Sequence, residues 1–288
     1  MPALQTQVSF VNAWECDEND HLNVQFYFGR FTEADQHVRA MLALDPAFRR
    51  SARLVRYHAE LREDDLVEIE SGFALGDDGD VALVHALKRM TDGKVCATAC
   101  DSFGDHAREL YAFARRSDAI TDVDARLYRP RGVTGGPAPA ASRTELVAAG
   151  AFVTARAVVR PENCDHEGLA LDRTHIGHFS DGASIFWEKI GLTKAFINRQ
   201  GWGRVAVEMR LALHDAFVAG DLVEQFTVLL ARSERTITFR HYQFEARSGR
   251  LVAIGDCVGM AMDLATRKAV RFPEGQISVA PQLSETAE

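Results

Sequence analysis

The chain of 288 residues contains no run of about 18 apolar side chains, the length that a membrane helix requires. Its first segment, Met1–Gln7, carries neither a basic stretch nor an apolar one, so a secretory leader is not legible and a cytoplasmic protein is expected. Cysteine is scarce: Cys16, Cys96, Cys100, Cys164 and Cys257 are odd in number and scattered, which excludes a disulfide framework and predicts reduced thiols. Cys96 and Cys100 lack a second Cys/His pair to complete a tetrahedral zinc site, so no metal is expected. Positive charge is in deficit, with a formal net charge of -8, and the Lys and Arg residues are dispersed. A nucleic-acid partner is therefore not expected, and neither is a membrane. What is present, 47% hydrophobic and 26% charged residues, is the balance of a globular chain long enough for two ordinary domains.

Gln7 to Trp14 alternates apolar and polar side chains as a half-buried strand does. A polar loop follows, and then Phe26, Phe28, Phe31, Ala34, Val38, Met41 and Leu42 recur at helical spacing until Asp45-Pro46. Such a helix needs a sheet to cover its apolar face. Strands are predicted over 53–61, 66–75, 81–90 and 94–103, separated by Asp- and Gly-rich turns short enough to make neighbours antiparallel. A second helix is expected over 105–116, and the Pro/Gly-rich stretch Tyr128–Ala140 marks a linker.

The same order of elements then returns. Cys16-Asp17, Phe31 and Glu33 recur 148 residues later as Cys164-Asp165, Phe179 and Asp181. His58, Leu66-Val67-Glu68, His85 and Gly93 recur 156 residues later as His214, Leu222-Val223-Glu224, His241 and Gly249. A single insertion of eight residues, between the second repeat's helix and the strand after it, accounts for the shift; so many matches in order indicate an internal repeat. The expected organisation is repeat 1 over 1–116, a linker over 117–145, repeat 2 over 146–280 and a poorly ordered tail over 281–288. Within repeat 2 a strand is predicted over 153–160, a helix over 172–198, and strands over 205–213, 222–231, 236–246 and 251–262.

The chemistry is expected where the loop Glu15–Asn23 meets the first long helix, because the first N–H groups of a helix have no intrahelical partner and stabilise developing negative charge. The loop is similar to the Asp-x-x-Gly-His-x-Asn motif, followed by a Tyr, of the 4-hydroxybenzoyl-CoA thioesterase-like family, with Asp17, His21, Asn23 and Tyr27 at the matching places. Asp20 stands where the family often has Gly; Asp is among the non-glycine residues that best tolerate left-handed backbone. The resemblance implies an α+β hot-dog fold, in which a long helix is wrapped by an antiparallel sheet. A fused repeat implies a double hot-dog, with the two sheets joined into one of about ten strands. It further implies an acyl-CoA or acyl-ACP thioesterase without a cofactor, the CoA or pantetheine being part of the substrate, and it allows a homo-oligomer of double units.

By the same resemblance Asp17 is the nucleophile or the general base, and the backbone N–H near Val24 polarises the thioester carbonyl. His21 could orient Asp17 or contact the thioester, and Asn23 is equally read as the helix N-cap. The repeated histidines His58, His85, His214 and His241 fit a packing role better than catalysis. The second loop keeps Asp165 and has Gly168, but Leu169 and Leu171 replace His21 and Asn23, so any second site at Asp165 is expected to be weak. His166, His175 and His178 suggest a metal cluster or, more simply, a helix surface. Two rival functions fit the fold: a hydratase or dehydratase on an acyl-thioester, and a non-catalytic acyl-thioester-binding module.

Overall fold

A computed structural model describes residues 3–46, 48–75, 81–116, 120–121, 124–133 and 138–283. The chain forms two compact units, Met1–Arg131 and Gly132–Glu288, so the division falls inside the segment read as a linker. No helix among the described residues is long and apolar enough to cross a membrane.

In the first unit, β1 (Leu4–Phe10), α1 (Val24–Leu42), β2 (Ala52–Tyr57), β3 (Leu66–Leu75), β4 (Val81–Arg89), β5 (Val95–Ser102) and α2 (Ala107–Arg116) follow in order. The strands pair antiparallel as β1-β3-β4-β5-β2. Phe28, Phe31, Ala34 and Val38 form the buried stripe of α1 at the spacing the sequence displays, joined by Tyr27, whereas Phe26 and Leu42 are only partly buried and Met41 is exposed. The chain leaves α1 through Ala43 in left-handed backbone, φ 49°, whose N–H closes onto the last turn. β1 ends earlier than the alternation suggests: Asn12 starts a 3-10 turn over Ala13–Glu15, and Glu15 folds back to accept the Asn12 N–H at 2.9 Å.

The second unit repeats the plan with β6 (Phe152–Val158), α4 (Asp172–Lys189), β7 (Trp202–Leu213), β8 (Leu222–Arg232), β9 (Thr236–Glu245) and β10 (Leu251–Asp263), paired as β6-β8-β9-β10-β7. A two-residue β11 (Lys268–Ala269) adds to β10. The helix predicted over 172–198 is broken in two. Gly191 takes φ 98° close against the Gln276 carbonyl, and Thr193 caps a new helix, α5 (Lys194–Arg199), through the Phe196 N–H. α5 lies where the eight-residue insertion was inferred. A helix absent from the predicted elements, α3 (Arg143–Ala148), spans the expected boundary between linker and repeat 2, and its Leu146 packs on Phe226, Val228, Tyr242, Phe244 and Ile254. Nor does order end at Pro281: Gln282 exchanges hydrogen bonds with the Leu229 backbone, while residues 284–288 lie outside the described residues.

Equivalent helix-facing positions of the two sheets carry different polar groups. In the first unit a buried chain runs Thr6 Oγ1 to Ser71 Oγ (2.7 Å), Ser71 Oγ to His85 Nδ1 (2.7 Å) and His85 Nε2 to Asp101 (3.4 Å), and Arg53 grips both Asp101 oxygens at 2.7 and 2.6 Å. Burial alone would raise the Asp101 carboxyl, but the Arg53 and Arg50 charges outweigh it and hold it far below the usual range. In the second unit Thr154, Thr227 and His241 repeat the hydroxyl-to-imidazole chain at 2.6 and 2.7 Å. At the repeat positions of Asp101 and Arg53, however, stand the buried Cys257 and Met209. The second unit's ion pair, Asp256 with Arg210 and Arg240, projects from the opposite face of its sheet, since side chains alternate along β9 and β10.

Candidate functional site

The loop before α1 is held by short-range bonds that the sequence pattern implies. Cys16 and Leu22 form an isolated antiparallel bridge, the Asp17 N–H donates to the His21 carbonyl at 2.8 Å, and the Asp20 N–H donates to the Asp17 carbonyl at 3.1 Å. Asp20 adopts φ 60°, the left-handed conformation at the place of the family glycine. Asp17 Oδ1 accepts the N–H of Asn19 at 2.8 Å and of His21 at 3.4 Å. Burial is the main influence on this carboxyl and pushes its pKa up; the Asn19 N–H opposes the shift, and the neighbouring Glu18 charge adds to it.

Asn23 is the N-cap of α1, its side chain accepting the Gln25 N–H at 3.1 Å, and the first turn holds no acidic residue. The Val24 N–H has no acceptor among the described residues, and the helix dipole adds to its polarity. Tyr27 is buried edge-on against Tyr57, with ring centroids 5.1 Å apart, so it serves the core. His21, buried to 6% exposure, places Nε2 3.1 Å from Glu60 Oε2, while the neighbouring Leu22 N–H donates to the Leu61 carbonyl at 2.8 Å. Glu60 was missed by the sequence reading because its partner is remote along the chain; its only local signal is an acid just before the turn at 62–65. The structure thus gathers Asp17, His21, Asn23 and Val24 at one junction and adds Glu60.

The second loop is the same turn with different contents. Cys164 bridges Ala170, the Asp165 N–H donates to the Leu169 carbonyl at 2.8 Å, Gly168 takes φ 82°, and Asp165 Oδ1 accepts the N–H groups of Glu167 and Leu169 at 2.9 and 3.0 Å. The repeated Asp therefore shapes the loop in both units. Leu171 offers no side-chain cap, and the first helical position holds the buried acidic residue Asp172. Such a carboxylate lies where an oxyanion would have to be stabilised.

Of the histidines read as a metal cluster, His166 is exposed and His175 is engaged within the second unit. His175 Nδ1 bonds Gln243 Oε1 at 2.7 Å, within a buried network that continues through Gln225 to Thr154 and His241. His178 is half-buried, and burial, reinforced by His175, depresses its pKa to about 4. Among the described residues no group of three or more His, Cys, Asp and Glu side chains is arranged to hold a metal ion. His58 and His214 lie just past β2 and β7, where their N–H groups make the same backbone bond, to Cys96 at 2.8 Å and to Val252 at 2.9 Å. His85 and His241 are buried strand residues, in keeping with a packing role.

Residues 159–279, all in the second unit, match the family model described as the thioesterase-like superfamily. No curated relative matches the chain in sequence. Among solved structures, the chain resembles a Lactobacillus plantarum protein assigned the name oleoyl thioesterase, at 12% identity and TM-score 0.60 over 90% of this chain and 96% of that one. It also resembles an acyl-ACP thioesterase from Bacteroides thetaiotaomicron (10% identity, TM-score 0.58, 88% and 96% covered) and the 12:0-ACP thioesterase from Umbellularia californica (10%, 0.55, 88% and 93%). With two repeats of a long helix on an antiparallel sheet, the protein is a tandem hot-dog chain that resembles the thioesterases in fold along most of its length and carries a match to the thioesterase-like superfamily in its second unit.

Proposed function

We propose that the protein is an acyl-thioester hydrolase, acting on an acyl-CoA or acyl-ACP, with its working site at the loop-to-helix junction of the first unit. The observation that carries this reading is the passage of the Asp17 loop directly into a helix whose first N–H, that of Val24, has no acceptor among the described residues. The matched superfamily supports the reaction class.

In this reading the thioester carbonyl oxygen sits at the Val24 N–H, which stabilises the oxyanion as the carbonyl carbon becomes tetrahedral. Asp17 supplies the electron pair in one of two ways. Its carboxylate attacks the carbonyl carbon, expelling the thiolate and leaving a mixed anhydride for water to hydrolyse; or it takes a proton from the water that attacks. Both routes need the ionised carboxylate and end with acid and free thiol, the sulfur taking up a proton. His21 Nε2, paired with Glu60 Oε2 at 3.1 Å, lies beside the loop. No cofactor enters beyond the pantetheine arm of the substrate.

The test is release of free thiol from a panel of acyl-CoAs and acyl-ACPs of different chain length, with wild type and Asp17→Asn side by side. The expected result is turnover by wild type on at least one substrate and its near loss in the variant. Absence of thiol release across the panel rejects the reading.

A further inference from the structure

Beneath the candidate site lies a buried ion pair to which the proposed chemistry assigns no task. Glu15 and Arg30 are 8% and 6% exposed. Arg30 Nη1 and Nη2 donate to the two Glu15 oxygens at 3.1 and 2.8 Å, a fork-to-carboxylate contact. The same guanidinium donates to the Phe10 carbonyl at 2.9 Å and from Nε to Ser9 Oγ at 3.3 Å. Glu15 Oε2 also accepts the N–H of Asn12, and the Glu15 carbonyl accepts the N–H of Asn23, the N-cap of α1, at 2.8 Å. One pair thus ties together the end of β1, the 3-10 turn two residues before Asp17, and the second turn of α1.

The second unit provides the contrast. Asn163 and His178 stand at the repeat positions of Glu15 and Arg30. The backbone bond survives, from the Leu171 N–H to the Asn163 carbonyl at 3.0 Å, and Thr174 Oγ1 donates to that carbonyl at 2.7 Å. The turn therefore forms without an ion pair, and forming the turn does not explain the pair. Burying two charges is costly unless their geometry is tightly satisfied, as it is here.

We propose that Glu15 and Arg30 are positioning residues, which fix the Asp17 carboxylate relative to the Val24 N–H so that nucleophile or base and oxyanion donor meet one carbonyl group. The inference rests on the thioesterase reading above. A displacement of about 1 Å between reacting groups can lower turnover about a hundredfold without weakening substrate binding.

Two variants test it in the full-length protein. Arg30→Lys keeps the charge and removes the planar fork; the double variant Glu15→Gln with Arg30→Met removes both charges and leaves neither buried alone. Melting temperature, kcat on the best acyl-CoA, and Kd for its non-hydrolysable thioether analogue are measured for each and for wild type. Expected is a fall in kcat of roughly 10- to 100-fold in both, with Kd within about threefold and a cooperative melt retained. A kcat within twofold of wild type in either folded variant overturns the inference, as does a parallel loss of kcat and analogue binding. Failure of both variants to fold assigns the pair to folding and overturns it as well. Thiol release by wild type in the same experiment separates this outcome from failure of the thioesterase reading itself.

Discussion

The two units share a backbone plan and differ in where they place polarity. Both loops are built on an Asp whose Oδ1 accepts two backbone N–H groups, both turn through a left-handed residue, and both feed a long helix. In the first unit the helix start is capped by Asn23 and has no acid in its first turn, and the loop is braced by Glu15–Arg30 and His21–Glu60. In the second the same positions hold Leu171, Asp172, Asn163 and Leu169, and His175, Gln243, Gln225 and His241 form a buried network. The first unit buries the Arg53–Asp101 ion pair beneath its helix, and the second a network of amide and imidazole side chains. A repeat can thus keep its turn geometry while the side chains around the turn change.

The sharpest way to break this contrast is to remove the two loop carboxylates separately. Asp17→Asn keeps an acceptor for the Asn19 N–H, so the loop should persist while turnover drops by about a hundredfold or more. Asp165→Asn should change turnover by less than about threefold. Steady-state thiol release from one acyl-CoA decides between them, and the reverse pattern would move the site to the second unit. Because burial raises the Asp17 pKa, kcat/KM for wild type should fall with decreasing pH at a midpoint above the usual aspartate value of about 3.9.

A smaller effect is expected at Glu60. Glu60→Gln keeps a hydrogen-bond acceptor for His21 but loses the charge; with Glu60 partly exposed, roughly a tenfold fall in kcat is expected, with no change in melting temperature. An unchanged pH–rate profile and unchanged kcat would remove Glu60 and His21 from the site.

The buried histidines should separate the units in acid. His241 is stacked on Phe179 at 4.9 Å with Cys257 where the first unit has Asp101, and burial depresses its pKa to about 3. Unfolded, it titrates near 6.5, so between about pH 6.5 and 3 the unfolded chain binds the extra proton and the second unit loses stability as pH falls. His241→Gln should flatten that dependence. Hydrogen exchange of β8, β9 and β10 peptides between pH 7 and 4 measures it, and an unaltered slope in the variant would show that another group sets the acid limit. The smallest effect is expected from chelator and reductant together: activity and melting temperature should stay at their untreated values. A large loss with chelator would return His166, His175 and His178 to consideration as ligands.

Much of the fold was legible because it follows from local patterns. The stripe from Phe28 to Val38 has helical period, β3 spans Leu66–Leu75 as its flanking turns imply, and the repeat offset located the insertion that became α5. The misreadings occur where a distant contact overrides a local pattern. Helix continuity over 172–198 fails at Gly191, which lies against the Gln276 carbonyl, and α3 was overlooked because the Pro/Gly-rich stretch just before it outweighs its Ser142 capping box. At the candidate site, Asp17, Asn23 and Val24 were legible because a loop-to-helix junction is local. Glu60 and the Glu15–Arg30 pair were not, since each depends on partners brought together by folding.

By itself the sequence determined the tandem repeat, the α+β class and the loop that carries Asp17, because periodicity, turn residues and capping act within a few positions along the chain. Only the tertiary structure decided which polar groups are paired and on which face. Asp101 and Asp256 lie one repeat position apart yet face opposite sides of their sheets. Strand alternation turns a single-residue offset into a change of face, and the charge that can be buried there depends on the cation that the neighbouring strand presents.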